Sequence, residues 1–161
     1  MRGTVSTTVL VFLTYILFTG SLTPYDIVTG VIAAAVVGAL VGRFLVKNDA
    51  KAFSPIRWVW GLAYFLWYFL VAEVRAHLDV IRRIITGKVE PGIVRVPLGV
   101  KDEYARALVA NSITNTPGTV VVDVDGDFLY VNWISVATKD PIEAKKEICE
   151  DFERFARRIF E

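Results

Sequence analysis

The sequence is poor in the residues that build reactive sites. It has one cysteine, Cys149, and one histidine, His77. A lone cysteine excludes an internal disulfide. One Cys with one His also falls short of a four-ligand zinc site. There is no Gly-rich phosphate loop, no His-Cys cluster and no nucleophile elbow. Charge of one sign is missing too: 18 Lys and Arg against 17 Asp and Glu leave a formal net charge of +1. Without a basic excess, nothing argues for nucleic acid as a partner. The reading is therefore of a non-enzymatic chain, with no cofactor, no metal and no small-molecule substrate bound by this chain alone.

What the sequence has in excess is apolar surface. Hydrophobic residues make up 54% of the 161, and the mean hydropathy of +0.48 lies above the ordinary soluble range. The excess sits at the front, in three runs: Thr4 to Gly20, Ile27 to Val46 and Ile56 to Val74. A helix of roughly 20 apolar residues crosses the hydrocarbon layer. The prediction is an α-helical membrane region of three hydrophobic helices, two or three of them spanning, over residues 1–88. Charges concentrate after Glu73, and the composition shifts between Gly87 and Pro91, so a cytoplasmic α/β domain is predicted over 89–161. Arg2 ahead of the first run also fits a signal peptide. No small-x-small site precedes the next run, and the segment is expected to be retained. The third run carries Trp58, Trp60, Tyr64, Phe65, Trp67, Tyr68 and Phe69 all round the helix, which means burial in a large core or in lipid. The chain is too small for such a core.

Two features organise the membrane region. "SLTPYD" should join the first two helices as a hairpin, with Thr23 capping, Pro24 at the first helical position and Asp26 at the positive helix end. On the second helix, Gly30, Ala34, Gly38 and Gly42 recur every four residues along one face. Small residues there let a neighbouring helix come close, either the chain's own first helix or a helix of another protein. Topology is contradictory. Arg43, Lys47, Lys51 and Arg57 load the loop before the third run, and Arg75, Arg82, Arg83 and Lys88 follow it. The positive-inside rule wants both groups cytoplasmic. A crossing helix cannot satisfy both; a helix lying partly in the interface can.

The back half reads as strand, helix, strand, strand, helix. "GIVRVPL" places Val94, Val96 and Leu98 on one face. "KDEYARALVANSI" follows as a helix with Asp102 near its start and Tyr104, Ala107 and Leu108 as its buried stripe. Thr116-Pro117-Gly118-Thr119 is a turn, with Pro presetting one dihedral and Gly supplying the positive one. Asp125-Gly126 marks a hairpin. Asp140-Pro141 opens a final helix, whose polar face should pair Glu150 with Arg154 and Glu153 with Arg157. Asp123, Asp125 and Asp127 lack the loop length and downstream acid of a calcium site. His77 follows Glu73 by one helical turn. It reads as a proton-relay pair or, more simply, as an interfacial histidine.

These residues carry a resemblance. Over almost its whole length the chain resembles the E-type subunits of the Mrp-type multisubunit sodium/proton antiporters. The likeness is borne by "TGSLTPYDIVTGVIAA", by "AEVRAHLDVIRRII" leading to "PGIVRVPL", and above all by "ANSITNTPGTVVVDVDGDFLYVNWISV". Its core is Ser112, Thr114, Thr116, Pro117, Gly118 and Thr119. Asn115 stands where the family usually has an apolar residue and Asn132 where it usually has histidine. The resemblance implies an accessory component of a multi-pass cell-membrane complex, with other membrane subunits and the lipid bilayer as partners. It also extends to archaeal membrane-bound hydrogenases and related sulfur-reducing complexes. A direct ion-pathway role through Glu73 and His77 is the alternative.

Overall fold

The computed structural model describes residues 3–46 and 48–161. Arg2, of the signal-peptide reading, and Lys47, of the first basic group, lie outside the described residues. The chain divides into two compact units, Met1–Pro55 and Ile56–Glu161.

The first unit is a helical hairpin. Helix α1 spans Thr4–Thr19 and α2 spans Pro24–Leu45, with a single helical turn, α3, at Asp49–Ala52. Helix α1 stops at Gly20, in a left-handed conformation with φ 61°. Thr23 caps α2 by accepting the Asp26 N–H at 3.2 Å, and Ser21 and Thr23 both donate to the Asp26 carboxylate at 2.5 Å. At 16 residues α1 is roughly 24 Å long. Among the described residues, two helices are long and apolar enough to cross a membrane, Pro24–Leu45 and Pro55–Thr86.

The second unit begins with that long helix. It runs as α4 (Pro55–Trp67), a π turn (Tyr68–Ala72) and α5 (Glu73–Thr86). In the π turn the Glu73 N–H reaches back to the Tyr68 carbonyl, one residue further than in an α-helix. Strand β1 (Gly92–Pro97), α6 (Glu103–Asn115), β2 (Thr119–Asp125) and β3 (Phe128–Trp133) follow, then α7 (Pro141–Ile148) and α8 (Glu150–Phe160). The sheet is antiparallel with order β1-β3-β2. Its inner rows align Val94 with Val131 and Val96 with Leu129, and β2 carries a bulge between Val121 and Asp123. These residues close a core with Ala105, Val109, Ile113, Ala144, Ile148, Phe152 and Ala156.

Several sequence expectations need correcting here. The stripe that α6 buries is Ala105, Val109, Ser112 and Ile113. Tyr104 is 43% exposed, so the stripe is rotated by one residue from that expected. Asp102 caps the helix by accepting the Tyr104 and Ala105 N–H groups, and the face that meets β2 and α8 is the one through Ala105, Val109 and Ile113. The final helix is two helices, broken at Cys149 (φ −123°). The break lets α7 follow β1 while α8 turns to pack on α6. Arg154 pairs with Asp151 at 2.8 Å, not with Glu150. Glu153 is not on a solvated face; it is 3% exposed. In the hairpin, Asp125 faces Phe128 and only Gly126 of the two linking residues has positive φ, 52°. That is the type II′ pattern, with glycine at the first central position.

Candidate functional site

The small-residue seam of α2 is built by contact with α1. Gly30, Ala34, Gly38 and Gly42 are the buried residues of α2. A Cβ at Gly30 would stand 2.7 Å from the Tyr15 ring, and one at Gly42 2.7 Å from Thr4 Cα. At Gly38 it would run into Thr8 Oγ1. Packing this close needs glycine: at Gly42 backbone meets backbone, and at Gly30 and Gly38 the Tyr15 and Thr8 side chains occupy the space a Cβ would take. Tyr15 and Thr29 add a hydroxyl pair across the hairpin at 2.9 Å.

Asp49 closes the same hairpin. Helix α1 has no side-chain cap of its own. The Asp49 carboxylate accepts the Gly3 N–H at 2.7 Å and the Ser6 N–H at 3.0 Å, and the Ser6 hydroxyl as well. Those donors, led by the Ser6 hydroxyl, hold its pKa below the ordinary carboxylate value. Sequence reasoning misses this residue because a cap supplied from another element leaves no local pattern.

The second cluster surrounds the Thr-Pro-Gly-Thr turn. Ser112 donates to the Leu108 carbonyl at 2.6 Å, which leaves it to accept from the Tyr64 hydroxyl. Thr114 donates to the Ala110 carbonyl at 2.9 Å and accepts the Val121 N–H at 3.2 Å, tying α6 to β2. Thr116 donates back to the Ser112 carbonyl at 2.7 Å, and Thr119 to the Ile113 carbonyl at 2.8 Å. The Thr119 N–H closes the turn on the Thr116 carbonyl at 3.4 Å. Pro117 precedes Gly118, whose φ of 97° is the left-handed value a type II turn requires. The Gly118 carbonyl then receives the Ile134 N–H at 2.8 Å. Every hydroxyl of this motif is therefore engaged within the chain.

Glu73 and His77 lie beside this cluster. His77 Nδ1 donates to the Glu73 carbonyl at 2.8 Å and stands 3.4 Å from its carboxylate. The Glu73 side chain is mostly covered and that of His77 exposed. The Tyr68 hydroxyl is buried close to Glu73 and Thr116, and it makes no hydrogen bond of ordinary length and angle among the described residues. The sequence reading places Tyr64 and Tyr68 among aromatics facing lipid; the structure turns both onto the α/β layer. Their polar tips are the available signal, since buried phenols usually find a partner.

A third polar cluster is structural. Buried Glu153 accepts the Gly99 N–H at 2.6 Å and meets Lys145 at 2.9 Å and Arg157 at 3.1 Å. Cys149 donates its thiol to the same carboxylate at 3.4 Å, and burial pushes the thiol pKa up. A raised pKa keeps the thiol protonated and unreactive. Among the described residues, no group of three or more His, Cys, Asp or Glu is placed to hold a metal ion.

Helical hairpin, long helix and small α/β layer together are the build of a membrane-complex component, and comparison with known proteins specifies which. Residues 8–159 match the MNHE family, described as Na+/H+ ion antiporter subunit. The chain belongs to this antiporter family. It is 29% identical to the E-type component of the Na(+)/H(+) antiporter of Alkalihalophilus pseudofirmus over 141 residues, 85% of each chain. It is 30% identical to the E1-type component of the Na(+)/H(+) antiporter of Staphylococcus saprophyticus over 97 residues, 58% of this chain and 59% of that one. A chain of the archaeal membrane-bound sulfane sulfur reductase, a respiratory membrane complex, superposes with a TM-score of 0.86 at 30% identity. That superposition covers 99% of this chain and 100% of the other.

Proposed function

We propose that the chain is an accessory, non-catalytic subunit of a multisubunit sodium/proton antiporter module. It joins other membrane subunits through its helices and braces them from the cytoplasmic side with its α/β unit. The observation that carries this reading is the internal use of the Ser112–Thr119 motif. Its hydroxyls and its Gly118 dihedral go into fixing how α6, β2 and the residue after β3 meet. A motif spent on geometry is a brace. The likeness to a sulfane sulfur reductase chain supports a redox-driven host for the module. Copurification from native membranes, with the partner chains identified by mass, tests the host.

Gly118→Val tests the brace. A side chain with a Cβ in the left-handed region costs roughly 1 kcal/mol or more, and its Cβ would stand 3.2 Å from Ile134 Cγ2. The yield of assembled complex should fall, while sodium-dependent proton flux per assembled complex stays near the parent value. Normal yield with lost flux would refute the bracing role.

The buried Tyr68 hydroxyl close to Glu73, without a hydrogen bond of ordinary geometry among the described residues, favours one other reading, in which Glu73 serves the ion pathway directly. Glu73→Gln separates the two. The accessory reading expects a normally assembled complex with at most a modest loss of flux; abolished flux in such a complex supports the pathway reading.

A further inference from the structure

The long helix Pro55–Thr86 qualifies as a membrane span by length and composition, but its own unit covers one side of it almost end to end. Near its start, Arg57 donates to the Ile159 and Glu161 carbonyls at 2.7 and 3.1 Å. The Arg158 guanidinium lies 4.1 Å from the centre of the Trp60 ring. Phe155 packs on Trp60, Tyr64 and Trp67, and Phe152 on Trp67 and Tyr68. Further along, the Gly118 turn approaches Val80, with a Cβ built on Gly118 standing 3.5 Å from its Cγ2. From Arg57 to Val80 is roughly 35 Å of helix. The covering helix α8 carries Glu150, Asp151, Arg154, Arg157 and Arg158. A hydrocarbon core of about 30 Å cannot take up this helix without taking up that charged layer. The part beyond the π turn fares no better, with Glu73, Arg75, His77, Asp79, Arg82 and Arg83 in a single 14-residue helix.

The opposite side is a continuous apolar stripe. Leu62, Phe65, Leu70, Val74, Leu78 and Ile85 are about half exposed or more. The stripe holds bulky side chains, in contrast to the glycine seam of α2 that admits a neighbouring helix. Its charges suit a lipid surface. Glu73 is met by His77 and Asp79 by Arg83, which leaves Arg75 and Arg82 exposed with no ion pair among the described residues. Nine residues, 46–54, separate the last residue of α2 from the start of the long helix.

We propose that Pro55–Thr86 does not cross the membrane but lies in its cytoplasmic interface, with the stripe in the acyl boundary and Arg75 and Arg82 on anionic lipid headgroups. This geometry puts the basic residues before and after the helix on one side, as the positive-inside rule asks. The inference rests on membership in a membrane-complex family and is independent of whether the protein braces or conducts.

The test uses the assembled complex in vesicles of phosphatidylcholine with and without phosphatidylglycerol. Spin labels are placed singly at Leu62→Cys, Leu70→Cys and Leu78→Cys, all on the exposed stripe, and their depths are read by relaxation with oxygen and with a water-soluble nickel chelate. The expected result is three similar depths, about 5–10 Å below the headgroup boundary, which shift towards water in the Arg75→Gln/Arg82→Gln variant only when phosphatidylglycerol is present. An impermeant maleimide should label Ser54→Cys and Lys88→Cys from the same face of the membrane. A crossing helix would spread Leu62 and Leu78 over roughly 24 Å of depth and put the two end labels on opposite faces; either outcome overturns the proposal. Labels that neither reagent reaches would show another protein on the stripe and overturn it equally. Depths indifferent to phosphatidylglycerol and to the arginines would overturn the headgroup assignment.

Discussion

Helix α2 and the long helix Pro55–Thr86 pass the same test of length and apolarity, yet they sort their residues in opposite ways. Helix α2 buries Gly30, Ala34, Gly38 and Gly42 and turns Val31, Val36, Leu40 and Phe44 outward. The long helix puts Trp60, Tyr64, Trp67 and Tyr68 under cover and leaves a stripe of leucine, phenylalanine and isoleucine outside. A hydropathy average sees no difference, because it counts residues without asking which neighbour each one meets. Side-chain size by position does see it. Small residues in register mark a helix that a second backbone approaches, whereas covered aromatics with polar tips mark a helix held by side chains of a folded layer.

The largest effect that bears on this contrast is expected from glycine replacement. Gly38→Leu forces a side chain into Thr8 and the Thr4 carbonyl, and overpacking of this kind costs about 1–3 kcal/mol or more. The complex should lose yield and heat stability. Gly61→Leu in α4 is the matched control, because a Cβ there meets nothing within 4 Å; it should assemble like the parent. Equal behaviour of the two variants, read by yield and thermal inactivation, would erase the distinction between seam and cover.

A smaller effect separates the two phenols. Tyr64→Phe removes the bond to Ser112, at a cost near 1 kcal/mol. Tyr68→Phe removes a hydroxyl that lies close to Glu73 and Thr116 but makes no hydrogen bond of ordinary geometry among the described residues, and should cost less than Tyr64→Phe. Thermal unfolding of the purified variants ranks them, and a Tyr68→Phe loss larger than that of Tyr64→Phe would show that the Tyr68 hydroxyl has a partner.

The smallest effect is pH dependence in the hairpin. The folded pKa of Asp49 lies below its ordinary value of 3.8. Its contribution is therefore complete above that value and is lost as pH falls through the lower, folded pKa. Asp49→Asn should weaken the hairpin slightly at neutral pH and flatten the acid limb of its stability curve. Parallel curves for parent and variant down through this range would remove Asp49 as the cap of α1.

How much of this is legible in the sequence follows the range of each interaction. Thr23, Asp102 and Asp140 are recognisable as caps or helix openers, and each accepts N–H groups of its own first turn. The "GIVRVPL" strand buries Val94, Val96 and Leu98 as alternation requires. These are rules that act over a few residues. What is not legible joins distant segments: Tyr64 to Ser112, Arg57 to the end of α8, Asp49 to the start of α1. Glu153 shows the same limit. The four-residue spacing to Arg157 is visible, but Lys145 and the Gly99 N–H, which make burial of that carboxylate tolerable, come from other elements. The aromatics of the third run do ring the helix: Trp60, Tyr64, Trp67 and Tyr68 are covered, while Trp58, Phe65 and Phe69 are exposed. What a single uniform repeat hides is where the residues after them point.

The π turn at Tyr68–Ala72 breaks that uniformity. Each α-helical residue advances about 100° around the axis, and a π turn holds one residue more than an α turn. Without that extra residue, Val74, Leu78 and Ile85 would sit about a quarter-turn away from Leu62, Phe65 and Leu70, and the outer surface would be split in two. The inserted residue absorbs the angular error. The turn works as a phase corrector, placed just before the charged half of the helix begins, and it lets one unbroken rod keep a single azimuth along its whole length.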